Sequence, residues 1–366
     1  MQKKNKVAII SRESDDMTID IRLLEKELTS RGIEVEVLCK LLRKKFALSS
    51  LAYFKYISLQ KKAIRTSGVV IVDTYCIPVS LGTHSRDTKV VQMWHALSAI
   101  KKFGWQTVGK PDGTNSIVAH LMKMHNGYDY VLAPSDVTAK HFCEGFRTDK
   151  NKIVKLGLPR IDYILSEDTH ITKRIREKYG LIDDNRKIIL YAPTFRKGKN
   201  IDVSELSSKF DSEKYVIIAK LHPLDIKLYK DGYVADETKE KNNCEIIVDD
   251  EYNTYDWLKV CDIIISDYSS LIVEASLVNK PIYLYTFDEE EYSKSTGLNV
   301  SFDEEAIGKY KFSDSCKLAD EIDKNGIKGY DFTALRDFRN KYIAVSTDNC
   351  TGKLADFIEN LLSNQI

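Results

Sequence analysis

Short runs of apolar, β-branched residues alternate with longer segments of helical periodicity along nearly the whole chain. In the first half, Val7–Ser11, Val35–Cys39, Val69–Asp73, Val90–Trp94, Tyr130–Pro134 and Ile153–Gly157 predict strands. Helical spacing predicts helices at Thr18–Arg31, Ser49–Thr66, Ser116–His125 and Ser135–Gly145, and a linking helix at Glu167–Tyr179. A second series of strands follows at Ile188–Ala192, Tyr215–Leu221, Glu245–Asp249, Asp262–Ser266 and Pro281–Tyr285, with helices at Thr254–Val260 and Tyr268–Val278. From Ser313 onward the pattern is helical, ending in Phe332–Tyr342 and Leu354–Leu362. Apolar runs separated by helices suit parallel strands joined by crossovers. The pattern therefore predicts an α/β, GT-B-like architecture of two Rossmann-type domains, 1–165 and 166–366, facing an interdomain cleft. The last helices are free to pack back on the first domain.

A length of 366 residues fits two domains of ordinary size. The seven cysteines are scattered and show no CxxC spacing, which disfavours a disulfide framework or a zinc site. The basic N-terminus precedes only four apolar residues, Val7 to Ile10, too few for a signal peptide, and no 18-residue apolar run follows. These features predict a soluble or peripheral, intracellular protein. A net charge of +1 gives no general affinity for nucleic acid. Between Glu36 and Asp73, however, there is no acidic residue, and Lys44, Lys45, Lys61 and Lys62 alternate with aromatic and aliphatic side chains. Such a stretch suits either an anionic membrane surface or the solvated face of a Rossmann helix.

No GxGxxG follows the first strand, which disfavours a dinucleotide oxidoreductase. Ligands of open α/β sheets sit beyond the carboxyl ends of the strands, and four such ends carry suitable chemistry. After Val90–Met93 comes Trp94-His95, where a neutral imidazole can take a proton from a hydroxyl, followed by Lys101 and Lys102 as phosphate-side cations. After Ile188–Ala192 comes Pro193-Thr194-Phe195-Arg196, a hydroxyl and a guanidinium suited to an anion. The third end carries Leu221-His222-Pro223, in which the proline biases His222 toward an extended conformation. The fourth carries Ser266-Asp267-Tyr268-Ser269-Ser270 at a helix start, with Glu274 one turn on as an acceptor for ribose or substrate hydroxyls. The acidic runs Asp249-Asp250-Glu251 and Asp288 to Glu291 read as solvated turns, and no carboxylates are paired at metal spacing.

From about Val90 to Phe302 the chain resembles the CDP-glycerol glycerophosphotransferases, the teichoic-acid primases and polymerases of bacteria. The resemblance rests on an ordered set: Trp94-His95 with Lys101-Lys102-Phe103-Gly104, Tyr130 to Ser135, Gly157-Leu158-Pro159-Arg160-Ile161-Asp162, Tyr191 to Arg196, Leu221-His222-Pro223, and Ser266 to Ser270. It implies a GT-B fold whose C-terminal domain holds the nucleotide donor. A hydroxyl of a polyprenyl-linked or glycan acceptor would attack the β-phosphate of a CDP-alditol and release CMP. By motif, His95 becomes the general base, and His222, Thr194, Arg196, Ser269 and Ser270 become ligands of the pyrophosphate. Asp267 becomes the organiser of that loop, and Arg160 a further donor contact. The resemblance also implies work at the cytoplasmic face of the membrane. No tightly bound cofactor is expected, and magnesium is left open, since pyrophosphate donors often arrive with the ion. Many members carry Gly-Thr-Pro where this chain has Ala96-Leu97-Ser98. That departure leaves glycerol, ribitol or a capsule repeat open as the transferred unit. Two other classes share the fold-level pattern: a glycosyltransferase or sugar-nucleotide epimerase, and a membrane-surface protein without turnover.

Overall fold

The computed structural model describes residues 5–41, 50–82, 84–111, 113–196, 201, 203–221, 225–226 and 244–363, so Lys44, Lys45 and His222 lie outside the described residues. The chain forms two compact units. The first comprises Met1–Tyr163, Ser295–Asn299 and Lys341–Ile366, and the second Ile164–Lys294 and Val300–Asn340.

The first unit is built on a six-stranded parallel sheet: β1 Lys6–Ser11, β2 Glu34–Cys39, β3 Val69–Val72, β4 Lys89–Gln92, β5 Tyr130–Ala133 and β6 Ile153–Lys155, in the order β2-β1-β3-β4-β5-β6. Central strands such as Val69-Val70-Ile71-Val72 are buried throughout, because helices cover both faces of a parallel sheet. One of these, α1 (Ile19–Ser30), buries Ile21, Leu24 and Leu28 at helical spacing. The others used below are α2 (Ser50–Thr66), α3 (Ser116–Leu121) and α4 (Asp136–Phe146). α3 is shorter than its apolar pattern predicts, since Lys123 and His125 take left-handed conformations that turn the chain out of the helix.

The second unit repeats the plan with β7 Lys187–Ala192, β8 Tyr215–Ala219, β9 Glu245–Val248, β10 Ile263–Ser266, β11 Ile282–Tyr285 and β12 Lys311–Phe312. Its order is β12-β11-β10-β7-β8-β9, again all parallel. Where a helix over Tyr268–Val278 is predicted, α5 spans only Leu271–Ala275 before tightening to a 3₁₀ turn at Ser276–Val278.

Winding direction decides where each sheet can hold a ligand. In the first, the chain moves from β1 outward to β2 and then returns to place β3 on the other side of β1. In the second, β7 leads out to β8 and β9, and β10 returns to the other side of β7. At such a reversal the crossovers diverge to opposite faces, and the carboxyl ends of two neighbouring strands are left open. The open ends are those of β1 and β3 in one unit, and of β7 and β10 in the other.

The resemblance assigns Arg160 to the donor; the structure gives it other work. Its backbone N–H donates to Asp20 Oδ1 at 2.7 Å, its Nε donates to Asp20 Oδ2 at 2.8 Å, and Nη2 donates to the same oxygen. Asp20 on α1 is 2% exposed, and Arg160 is 6% exposed. This buried pair fastens the Gly157–Arg160 turn to α1. The turn is tight as well, since a Cβ on Gly157 would run into Cys350 and Ile161. Arg160→Ala strands a buried carboxylate, so we expect a loss of about 3–5 kcal/mol in urea unfolding. A change below about 1 kcal/mol would remove the pair from this structural role.

Candidate active site

In the first unit, the turn after β4 presents His95. Trp94 adopts φ 62°, a left-handed conformation rare for so bulky a residue, and its N–H donates to Gln92 Oε1 at 2.8 Å. An aromatic nest holds the turn in that shape. The Trp94 ring lies 4.7 Å from Phe103 and 5.1 Å from Phe146, and the His95 ring lies over it at 4.0 Å. The tip of the Phe103 ring in turn abuts Gly145 of α4, where any side chain would overlap it. Gly104 has φ 55°, and a Cβ there would strike the Gly145 carbonyl. Phe103-Gly104 is thus a packing device. Lys101 and Lys102 are half-buried beside it, and their segment is laced to 295–299. Lys102 N–H donates to the Gly297 carbonyl at 3.0 Å, and Asn299 Nδ2 donates to the carbonyls of Ala99 and Lys101 at 3.0 and 3.1 Å. Ala96, Leu97 and Ser98 are buried, so this stretch beside His95 is packing.

His95 Nδ1 lies 3.0 Å from the Asp73 carbonyl at the end of β3. A carbonyl oxygen only accepts, so the proton sits on Nδ1 and Nε2 keeps its lone pair. Burial lowers the His95 pKa below the ordinary histidine value, against the opposing pull of Glu13, whose Oε2 is 3.8 Å from Nδ1. The ring is therefore neutral near pH 7, with Nε2 free to take a proton. Sequence patterns gave no sign of Glu13 or Asp73, since neither belongs to a motif; their places at the ends of β1 and β3 were the only clue. Asp73 is 2% exposed, and its Oδ1 has no hydrogen-bond partner among the described residues. Burial pushes its carboxyl up to about 7, with bonds from Ser11 and Thr74 acting against the shift and Glu13 adding to it.

In the second unit the ends of β7 and β10 are adjacent strand ends, with Ala192 opposite Ser266. Asp267 joins them. Its Oδ1 and Oδ2 accept from the Thr194 N–H at 3.0 and 2.9 Å, and Oδ2 also accepts from Arg196 Nη1. Ser266 Oγ donates to the Ala192 carbonyl at 2.7 Å. Arg196 is 5% exposed, and its Nε and Nη2 form a two-point pair with Asp288, both at 3.0 Å. It also lies over the rings of Tyr268, Phe287 and Tyr292 at 5.3–5.4 Å. The guanidinium expected on a phosphate is thus committed to two carboxylates and shapes the loops. Thr194 Oγ1 is different: it is buried and has no hydrogen-bond partner among the described residues. Ser269 and Ser270 sit half-buried beside these loops, with Ser269 Oγ accepting from the Leu271 N–H at 3.2 Å. Because α5 has only five residues, its dipole offers an anion little here, and hydroxyls and loop N–H groups would offer more.

Three expectations need correcting. Glu274 is 1% exposed, so it faces the interior of the unit and is closed to a ribose. Asp249 is fully buried, accepting from Trp257 Nε1 at 2.7 Å and pairing with Lys220 at 2.8 Å. Asp288 is held by Arg196, so neither it nor Asp249 is a solvated turn. Among the described residues no group of three His, Cys, Asp or Glu is placed to hold a metal ion.

Residues 1–360 match the model of a family described as CDP-glycerol:poly(glycerophosphate) glycerophosphotransferase. The chain belongs to this family. It is therefore a transferase. A teichoic acid ribitol-phosphate primase of Bacillus spizizenii is 28% identical over 98% of this chain and 92% of its own length. A teichoic acid glycerol-phosphate primase of Bacillus subtilis is 31% identical over 81% of this chain and 74% of its own. Among solved structures, the wall teichoic acid polymerase TagF superposes with a TM-score of 0.74 over 99% of this chain and 90% of that one, at 18% identity. A UDP-GlcNAc 2-epimerase from Neisseria meningitidis superposes at 0.62 over 97% of this chain and 100% of that one, at 16% identity. At such identities the likeness is one of fold: two parallel-sheet α/β domains of the GT-B kind.

The buried Asp73 carboxyl yields a prediction with a definite sign. Its folded pKa lies above the ordinary value, so its favourable contribution is full below about pH 4 and is lost as pH rises through about 7. Asp73→Asn does not titrate. Its stability relative to the wild type should therefore rise by about 3 kcal/mol between pH 4 and pH 8 in paired urea titrations. A difference independent of pH would show that Asp73 is ionised throughout.

Proposed function

We propose that this chain transfers an alditol phosphate from a CDP-alditol to an acceptor hydroxyl in teichoic acid synthesis. The observation that carries the reading is His95, whose Nδ1 is fixed on the Asp73 carbonyl and whose Nε2 is left as a neutral base. In the proposed step Nε2 takes the acceptor's hydroxyl proton as the oxygen forms a bond to the β-phosphorus. The bond from that phosphorus to its bridging oxygen breaks, and CMP leaves with the electron pair. Phosphoryl transfer of this type asks the protein mainly for positioning and neutralisation of charge. In the second unit the orphan hydroxyl of Thr194, with Ser269 and Ser270, is assigned to the donor's phosphates. Asp267 and Arg196 hold that loop pair in shape. His222, carried over from its Leu221-His222-Pro223 motif, is assigned to the same phosphates, and magnesium to the pyrophosphate it accompanies. Glycerol and ribitol are both open as the transferred alditol, with ribitol favoured by the coverage of the ribitol-phosphate primase.

His95→Ala should lower kcat by roughly 10²–10⁴-fold with little change in donor KM. The assay is CMP release from CDP-glycerol and CDP-ribitol. Near wild-type turnover in the variant would remove the base, and release of UDP from UDP-sugars in place of CMP would favour a sugar-nucleotide reaction on the same fold.

The reading also places the enzyme on a membrane surface. No helix among the described residues is long and apolar enough to cross a bilayer. On α2, however, Leu51 is 84% exposed and Phe54 67% exposed, on the same side as Lys55, Lys62 and Arg65, while Lys61 is half-buried. Apolar anchors among cations and no acidic residue suit an anionic interface. Phe54→Glu should reduce co-sedimentation with vesicles containing anionic lipid by about tenfold; unchanged binding would place the contact elsewhere.

A further inference from the structure

Glu13, the second residue beyond β1, carries a carboxylate with no permanent countercharge. Its Oε2 lies 3.8 Å from His95 Nδ1, and among the described residues it pairs with no other basic group. Two nearby acids are committed elsewhere: Asp15 pairs with Lys40 at 2.7 Å, and Asp20 pairs with the buried Arg160. The backbone holds Glu13 in place. Its N–H donates to Ser11 Oγ at 3.2 Å, and the preceding Arg12 N–H donates to Thr74 Oγ1 at 3.1 Å, which ties the loop after β1 to the end of β3. The same end of β3 supplies the Asp73 carbonyl that accepts from His95 Nδ1. A hydrogen bond and a negative charge therefore meet the imidazole at one nitrogen, and Nε2 is left for a substrate. The Glu13 side chain keeps 46% of its surface exposed and His95 keeps 32%, so the carboxylate stays hydrated and the ring stays within reach.

At 3.8 Å the contact is too long for a hydrogen bond, so what Glu13 supplies is charge. A neutral imidazole feels that charge weakly, and an imidazolium feels it in full. Burial lowers the basicity of the ring, and Glu13 gives the strongest opposing pull. The other groups that face the ring do not replace it. Arg160 opposes a positive ring, and Asp20, which favours one, is already neutralised by Arg160. His125 is neutral, because burial drives its pKa down to about 3. Asp73, whose carboxyl burial pushes up to about 7, carries only part of a charge at neutral pH. We propose that Glu13 is a positioning residue that acts through His95, its carboxylate stabilising the imidazolium that forms when Nε2 takes the acceptor's proton. The inference rests on the proposed transfer reaction and adds a residue to it. As the hydroxyl proton passes to Nε2, the oxygen's electron pair bonds the β-phosphorus and CMP leaves with the pair of the broken bond. Nδ1 keeps its proton on the Asp73 carbonyl, and no proton passes to Glu13. Nε2 returns its proton to water once the products have left. An interaction that strengthens only as the ring gains charge lowers the barrier without tightening substrate binding.

Imidazole titration by NMR in the wild type and in Glu13→Gln tests the coupling directly, with His95→Ala used to assign the signal. The His95 pKa should fall by about one unit in Glu13→Gln. The ring is neutral near pH 7 in both proteins, so both are equally ready to accept a proton. The weaker base should still lower kcat for CMP release by about 3- to 10-fold, while donor KM moves less than about twofold. The acid limb of the kcat profile should move to lower pH, a shift that mere displacement of the loop would not produce. Glu13→Asp, which keeps the charge, should recover most of the rate and return the limb toward its wild-type position. A measurement on the wild type alone covers the case in which the variant misfolds. Its His95 pKa should fall as salt screens the half-exposed carboxylate. An unmoved His95 titration or an unchanged kcat in a folded Glu13→Gln protein, or a wild-type pKa indifferent to salt, would each overturn the inference. Absence of CMP release by the wild type from any CDP-alditol would instead overturn the transfer reaction, and the titration, which needs no substrate, would still decide the coupling.

Discussion

The organisation of both functional regions depends on a constraint of parallel sheets. A crossover covers the sheet face that it packs against, so a chain that winds outward from its first strand in one direction must reverse to add strands on the other side. Only at that reversal do two neighbouring strands send their following loops to opposite faces and leave an opening between them. Each unit of this chain reverses at its first strand, β1 in one and β7 in the other. Arg12, Asp73 and Thr74 therefore gather at one opening, and Thr194, Arg196 and Asp267 at the other, although Arg12 and Thr74 are 62 positions apart and Thr194 and Asp267 are 73 apart.

Within each opening, charge is divided between groups spent on the fold and groups left with bonding capacity. Arg196 and Arg160 are both more than nine-tenths buried and face carboxylates, and a guanidinium in that position is already neutralised. Such pairs add little net stability, but losing one partner strands the other, so they fix geometry. Asp267 is the clearest case. By accepting from both the Thr194 N–H and Arg196, it ties the loop after β10 to the loop after β7. What keeps unused bonding capacity is modest: Thr194 Oγ1 in one unit and Arg12 Nε in the other, both without a hydrogen-bond partner among the described residues.

Most of the architecture was legible in the sequence because buried parallel strands are written as unbroken apolar runs. Val69–Val72 and Ile263–Ser266 sit within a residue or so of their predicted places. The expectation that ligands sit beyond strand ends also points to His95, Thr194 and Asp267, which do follow β4, β7 and β10. It failed where pairing decides function. Arg160 and Arg196 look like ligands in a sequence, because a sequence does not show that Asp20 and Asp288 lie against them. Glu274 sits one turn beyond a loop of hydroxyls, but the helix it belongs to turns that side inward. Asp249 reads as part of an acidic surface run until Lys220 and Trp257 are seen around it. Arg12, Glu13 and Asp73 are silent in the sequence for the opposite reason: no local motif marks them, and only the adjacency of β1 and β3 brings them together.

The His95 turn shows how fold and chemistry are coupled. A left-handed tryptophan costs roughly 1 kcal/mol or more in backbone strain and persists only where its surroundings over-determine it. Here the surroundings are Phe103, Phe142 and Phe146, and Phe103 reaches its place only because Gly145 offers no side chain. The strain reverses the chain just after β4, which brings the imidazole back over the indole and within 3.0 Å of the Asp73 carbonyl. Relaxing the turn would leave the histidine present but free to choose its tautomer. Lys101-Lys102-Phe103-Gly104 therefore travels with Trp94-His95 as one unit. Its phenylalanine and glycine hold the turn that orients the imidazole.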